Sequence, residues 1–217
     1  MKRVIAVLGA AIKLSALGAP EIARADEVET GLYLAPKIFY SHQKVKIKDT
    51  GAFSDGQPGL ALALGYDFSR LTQAPIRLEL EYAWRAKAKE ETAYTFLGVP
   101  VKEKGEIQIN TIFANAFFDM HNSTAFTPYI GGGLGAARVK GSYMTETLRG
   151  KKGFNKSAWF FSWNVGLGLA YKLSDSLALD LNYRYVDFNK VNDNLTGIKY
   201  KVDTHSQEGL LGLRYTF

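Results

Sequence analysis

The 217 residues suit one domain, and 47% hydrophobic residues, 13% aromatics and 21 glycines favour strands over helices. There is no cysteine, which excludes disulfides, thiolate metal sites and cysteine nucleophiles. The formal net charge of +6 raises the question of nucleic-acid binding, and the distribution of that charge argues against it.

Residues 1–25 read as an export signal. MKR supplies a positive start, VIAVLGAAIKLSALGAP an apolar middle interrupted by Lys13, and Ala23-Arg24-Ala25 an A-x-A cleavage site before Asp26. The alternative is an N-terminal helix of the mature protein, against which stand the cleavage triplet and the change of texture at DEVETG. The segment holds Lys2, Arg3, Lys13 and Arg24 against Glu21, so its removal lowers the net charge from +6 to +3. The basicity is partly a targeting feature, and nucleic acid is not an expected partner. Beyond it, FTPYIGGGLGAA and SAWFFSWNVGLGLAY fall short of the roughly 18 uninterrupted apolar residues that a spanning helix needs. A membrane form of residues 26–217 is therefore a barrel.

Eight segments with a period of two follow, near 31–46, 58–68, 75–88, 105–120, 126–141, 157–173, 177–190 and 204–217. The second, fourth and sixth connections, SRLTQA, HNSTA and SDS, are tight and rich in turn residues. The others, about 47–57, 89–104, 142–156 and 191–203, read as long polar loops. Short turns at one end and long loops at the other predict an all-β fold, an eight-stranded antiparallel up-and-down transmembrane β-barrel with the long loops outside the cell.

The faces sort in most strands. Leu60, Leu62, Leu64 and Tyr66 alternate with Ala61, Ala63, Gly65 and Asp67, and Ile76, Leu78, Leu80, Tyr82 and Trp84 with Arg77, Glu79, Glu81 and Arg85. Leu177, Leu179, Leu181, Tyr183 and Tyr185 bracket Asp180, Asn182 and Arg184, and Leu211, Leu213, Tyr215 and Phe217 bracket Gly212, Arg214 and Thr216. The apolar rows end in Tyr, Trp or Phe, as interfacial girdles do. A soluble sandwich or lipocalin-like barrel is the competing home for alternating strands. Uniform, nearly uncharged apolar rows with aromatic ends favour lipid. The strands at 105–120 and 126–141 stay without a face assignment, one having aromatics on both faces and the other too many glycines.

Four tracts, TPYIGGGLG at 127–135, LNYRYVDF at 181–188, NAFFDM at 115–120 and the ending GLRYTF, resemble the small outer-membrane barrels of the outer membrane protein A, X and opacity-protein type. The resemblance covers residues 30–217. It implies a place in the outer membrane of a Gram-negative bacterium, with outer-membrane lipid and lipopolysaccharide as surroundings, in a family that includes adhesins and structural anchors. A final strand ending in Phe resembles the signal read by the barrel assembly machinery, which gives Tyr215 and Phe217 that role. No peptidoglycan-binding domain follows Phe217, so a cell-wall tether is not expected.

An eight-stranded barrel has an interior that side chains fill, so its inward charges must pair. Lys37, Arg77, Glu79, Glu81, Arg85, Asp180, Arg184 and Arg214 form the expected interior network, five positive groups against three negative. An ion-paired plug is the expectation, and a narrow anion-permeable path the alternative. For catalysis the available groups are Ser41, His42, His205, Ser206 and Glu208, where Glu208 could orient the His205 ring in a lipid esterase, but no spacing motif supports them. GGGLG at 131–135 lacks the strand-to-helix turn of a dinucleotide site. No enzyme, catalytic residue, metal or cofactor is expected. From 138 to 156, Arg138, Lys140, Arg149, Lys151, Lys152 and Lys156 oppose only Glu146. That basic stretch suits lipopolysaccharide phosphates or an anionic host or surface ligand. A surface protein with an envelope role and adhesion through its loops is the leading reading. A small porin and a lipid-modifying enzyme are the alternatives.

Overall fold

The computed structural model describes residues 31–47, 51–72, 74–96, 99–147, 150–188, 191–193 and 200–217. The expected export signal lies outside these residues. The strands are β1 (Leu32–Ile47), β2 (Gly51–Asp67), β3 (Ile76–Arg85), β4 (Ala88–Phe96), β5 (Val99–Asp119), β6 (Phe126–Thr147), β7 (Gly150–Lys172), β8 (Leu177–Asp187), β9 (Val191–Asp193) and β10 (Tyr200–Thr216).

Eight of them, β1, β2, β3, β5, β6, β7, β8 and β10, form a continuous antiparallel ladder, and β1 pairs with β10 from Tyr33↔Thr216 to Ile47↔Val202 to close it. Closure is what lipid demands, because a strand edge in hydrocarbon would leave backbone N–H and C=O groups unpaired. The apolar row Ile76 to Trp84 covers nine residues, the length that crosses a bilayer at the usual tilt.

Burial alternates with the sign reversed from a soluble strand. In β3 the odd positions Arg77, Glu79, Glu81 and Arg85 are buried and Leu78, Leu80, Tyr82 and Trp84 are exposed. Leu181 is 58% exposed while Arg184 is 4% exposed. The structure also supplies the two missing face assignments. In β5 the inward row is Ile109, Thr111, Phe113, Asn115 and Asp119, with Ile112 and Phe118 outward; in β6 Tyr129 and Ala137 point in, and Ile130 and Leu134 point out.

The connecting segments correct the loop expectation. Residues 88–96 pair with 99–107 as β4 against β5, and β6 and β7 stay paired as far as Thr147↔Gly150. These stretches are hairpins that prolong the barrel wall, not open loops. Their polarity hid them, because a sheet wet on both faces needs no apolar period. On the opposite rim SRLTQA holds one helical turn, α1 (Ser69–Thr72), and among the described residues no helix is long and apolar enough to span a membrane.

Candidate functional site

The barrel interior is where the alternation places its charges. Lys37 Nζ lies 2.6 Å from Glu79 Oε1 and 2.8 Å from Glu81 Oε2. Arg184 reaches Glu81 at 2.6 Å and Glu208 at 2.8 Å, and Arg85 meets Glu208 at 2.6 Å. The result is an unbroken series of alternating sign, Arg85, Glu208, Arg184, Glu81, Lys37, Glu79. Nearer the short turns Arg77 forks onto Asp119 at 2.5 and 2.9 Å, and Arg214 lies 3.5 Å from Asp180. All eight expected residues face the interior. The composition differs from the expected five against three, because Asp119 and Glu208 join and make it five cations against five acids. The expected positive excess is thus removed.

Flat guanidiniums need partners above and below as well as at their edges. Arg77 lies 4.9 Å from the centroids of both Phe117 and Tyr129, Arg85 lies 5.1 Å from Phe39, and Arg184 lies 5.7 Å from Phe113. The inward aromatics of β5 are the ring faces on which these cations rest. The glycines of β6 make room beside them. A Cβ on Gly131 would meet Phe117 at 2.3 Å, and one on Gly133 would meet Asn115 Oδ1 at 2.0 Å. Among Arg77, Asp180, Arg184 and Asn115 lies a cavity of about 20 Å³, room for about one water.

Strand geometry does not bring the Ser-His-Glu set together. Ser41, Ser206 and Glu208 point inward and are fully buried, whereas His42 is exposed on the other face. Ser41 and Ser206 hydrogen-bond each other at 2.7 Å, Glu208 is occupied by Arg85 and Arg184, and His205 stacks on Tyr185 at 5.6 Å. Glu208 and His205 are three positions apart, an odd number, so the pleat puts them on opposite faces. Glu208 is therefore not placed to orient the His205 ring, as the enzyme alternative would have required. No group of three or more His, Asp or Glu suited to a metal occurs among the described residues.

Outside the membrane, β4 to β7 continue as a four-stranded sheet. Lys87 and Lys89 share Glu106 at 2.8 and 3.5 Å, and Lys104 meets Glu91 at 2.9 Å. The hydrogen bond from Lys104 holds the Glu91 carboxyl below its ordinary range, and that from Lys87 does the same for Glu106. Of the basic stretch, Arg138 and Lys140 lie in β6, while Lys151, Lys152 and Lys156 lie in β7. Arg149 lies outside the described residues. Glu146 stands in register between Lys102 and Lys151. From Arg138 to Thr147 the hairpin advances about 30 Å along the strand.

The family described as Outer membrane protein beta-barrel domain matches residues 9–217. The chain belongs to this family. It is 30% identical over 201 residues to outer membrane protein PagN of Salmonella typhimurium, covering 83% of this chain and 80% of that protein. The 25 kDa outer-membrane immunogenic protein of Brucella canis is 26% identical over 192 residues, covering 87% of this chain and 77% of that one. Among solved structures, Neisserial surface protein A superposes with a TM-score of 0.50 at 21% identity, covering 87% of this chain and 98% of the other, a likeness of fold. This outer-membrane barrel is a surface protein whose long hairpins face the exterior.

Proposed function

We propose that the protein is a non-enzymatic surface barrel that braces the outer membrane and adheres to anionic ligands through the outer end of the β6–β7 hairpin. The observation that carries this reading is the filled interior. With five cations matched to five acids and room for about one water, the wall offers rigidity and no passage. Specificity then falls to what projects from the scaffold. The basic start of β7, with Lys151 and Lys152 following Arg149 in the sequence, suits sulfated or phosphorylated polymers, whose attraction to clustered cations is screened by salt. The name of the Brucella relative, an immunogenic outer-membrane protein, fits an exposed surface. Assembly through Tyr215 and Phe217 at the end of β10 belongs to the same proposal.

The test uses whole cells displaying the protein on immobilised heparin. Neutralising Arg149, Lys151 and Lys152 to Gln abolishes salt-sensitive retention while the heat-modifiable gel shift of the barrel persists. Unchanged retention sinks the adhesion reading.

A further inference from the structure

The pleat divides the basic stretch, and the division assigns part of it to a different ligand. Leu134 is 63% exposed on the lipid-facing side of β6, and Ala136, Arg138 and Lys140 continue that same face outward, whereas Val139 packs inward against the Ile109 and Phe113 cluster. Arg138 therefore stands where the apolar row ends. Opposite it across the strand pair is Trp159, 60% exposed, with the guanidinium 5.7 Å from the ring centroid. Both residues sit in the outer girdle, with Phe161 next below on β7.

The charges here differ from the others in their partners. Inside the barrel every guanidinium has a carboxylate, and in the outer sheet Lys87, Lys89 and Lys104 each have one. Neither Arg138 nor Lys140 has an acidic partner among the described residues, and Arg138 Nε is buried without an acceptor. Just outward, a groove of about 410 Å³ is lined by Lys140 and Lys156 with Gln108, Ser142, Asn155 and Ser157, and Lys87 also borders it. Its one acid, Glu106, is already held by Lys87 at 2.8 Å. The groove thus offers amides, hydroxyls and the ammonium groups of Lys140 and Lys156 just outward of Arg138, at the depth of a lipid headgroup.

We infer that Arg138 and Lys140 bind a phosphate of an outer-leaflet saccharolipid, with the sugar hydroxyls in the groove and the acyl chains beside Trp159 and Phe161. A guanidinium takes a phosphate bidentately and an ammonium adds a point charge, a pairing suited to a phosphomonoester on a sugar. A zwitterionic phospholipid offers neither the net charge nor the hydroxyls. The inference rests on the outer-membrane placement and is independent of adhesion at the hairpin end.

The purified barrel in detergent is titrated with diphosphoryl lipid A, dephosphorylated lipid A and inorganic phosphate as competitor. Each surface cation near a charged lipid is worth about fivefold in affinity, so R138Q/K140Q weakens diphosphoryl lipid A about thirty-fold and leaves the dephosphorylated lipid unchanged. Lys140→Gln alone, at an exposed position, gives about fivefold and guards against an assembly defect in the double variant. Inorganic phosphate does not displace the lipid, and retention on heparin stays as in the parent. Equal affinity for parent and double variant, equal loss for both lipids, or displacement by millimolar phosphate overturns the site; failure of adhesion alone leaves these readings intact.

Discussion

Glu208 is the residue on which the interior series turns, and replacing it with Gln tests whether the plug is held by charge. Its carboxylate accepts from Arg85 Nε at 2.9 Å and Nη2 at 2.6 Å, and from Arg184 Nε at 2.8 Å. After Glu208→Gln, Arg184 keeps Glu81 at 2.6 Å, but Arg85 keeps only Thr111 Oγ1 at 3.2 Å and Ile109 O at 3.4 Å. Arg85 then stands fully buried with no carboxylate. Orphaning a buried charge in this way costs about 3–5 kcal/mol. The lower end applies, because the amide oxygen still accepts one N–H, so the expected loss is about 3 kcal/mol.

The measurement is urea unfolding of the barrel in phospholipid vesicles, followed by tryptophan fluorescence and by the gel shift. A companion, R85M/E208Q, removes the stranded cation and recovers part of the loss, giving a coupling of about 1–3 kcal/mol. Glu106→Gln is the control, since the Lys87–Glu106 pair is solvent-exposed and its removal leaves the midpoint unchanged. A loss below about 1 kcal/mol for Glu208→Gln refutes the reasoning, for it means that the interior tolerates an unpaired guanidinium.

Three further outcomes follow from the same geometry. Leu181→Arg, at a lipid-facing position, costs about 2–4 kcal/mol of insertion free energy and blocks folding into vesicles, whereas assembly like the parent's contradicts the outward face. Single-channel recordings of purified protein in planar bilayers show no steady nanosiemens steps, and a stable open level of that size contradicts the filled interior. Gly133→Val drives a side chain into Asn115 and lowers stability by about 1–3 kcal/mol, while Gly141→Ala, with nothing within 4 Å of the added Cβ, leaves the unfolding midpoint in place; equal effects at both positions refute the packing account.

Strands with one wet row and one lipid row were legible because the period of two separates them, and Arg77 to Arg85 against Ile76 to Trp84 is the clearest case. β5 was not, and the reason is chemical: Phe113 and Phe117 face inward to support Arg184 and Arg77, so both faces carry aromatics. Asp119 went unplaced with that strand. Glu208 could have been found by stepping back in twos from Arg214 through Gly212 and Leu210, but the apolar Leu210 interrupts the polar row. The outer hairpins left no trace in hydropathy, since residues such as Lys87, Glu91, Lys104 and Glu106 stabilise them by cross-strand pairing in water. The division of Arg138 and Lys140 from the rest of the basic stretch needed the register of β6, which no count of charges contains.

The choice of cation inside the barrel bears on what the barrel can do. Four of the five interior cations are arginines, and the lysine, Lys37, sits where one ammonium bridges Glu79 and Glu81. A guanidinium can satisfy two carboxylates along its edge, as Arg184 does with Glu81 and Glu208, and still rest its face on a ring, as it does on Phe113. An ion crossing the lumen would have to break several such contacts in series and leave charges unpaired at each step, a cost of several kcal/mol per ion pair. Arg138 and Lys140, which have no acidic partner among the described residues, stand where the apolar row of β6 ends. Charge is therefore closed on itself inside the barrel, where rigidity is needed, and in the outer sheet at Glu91 and Glu106, while the Arg138–Lys140 pair at the girdle is where a partner could complete it.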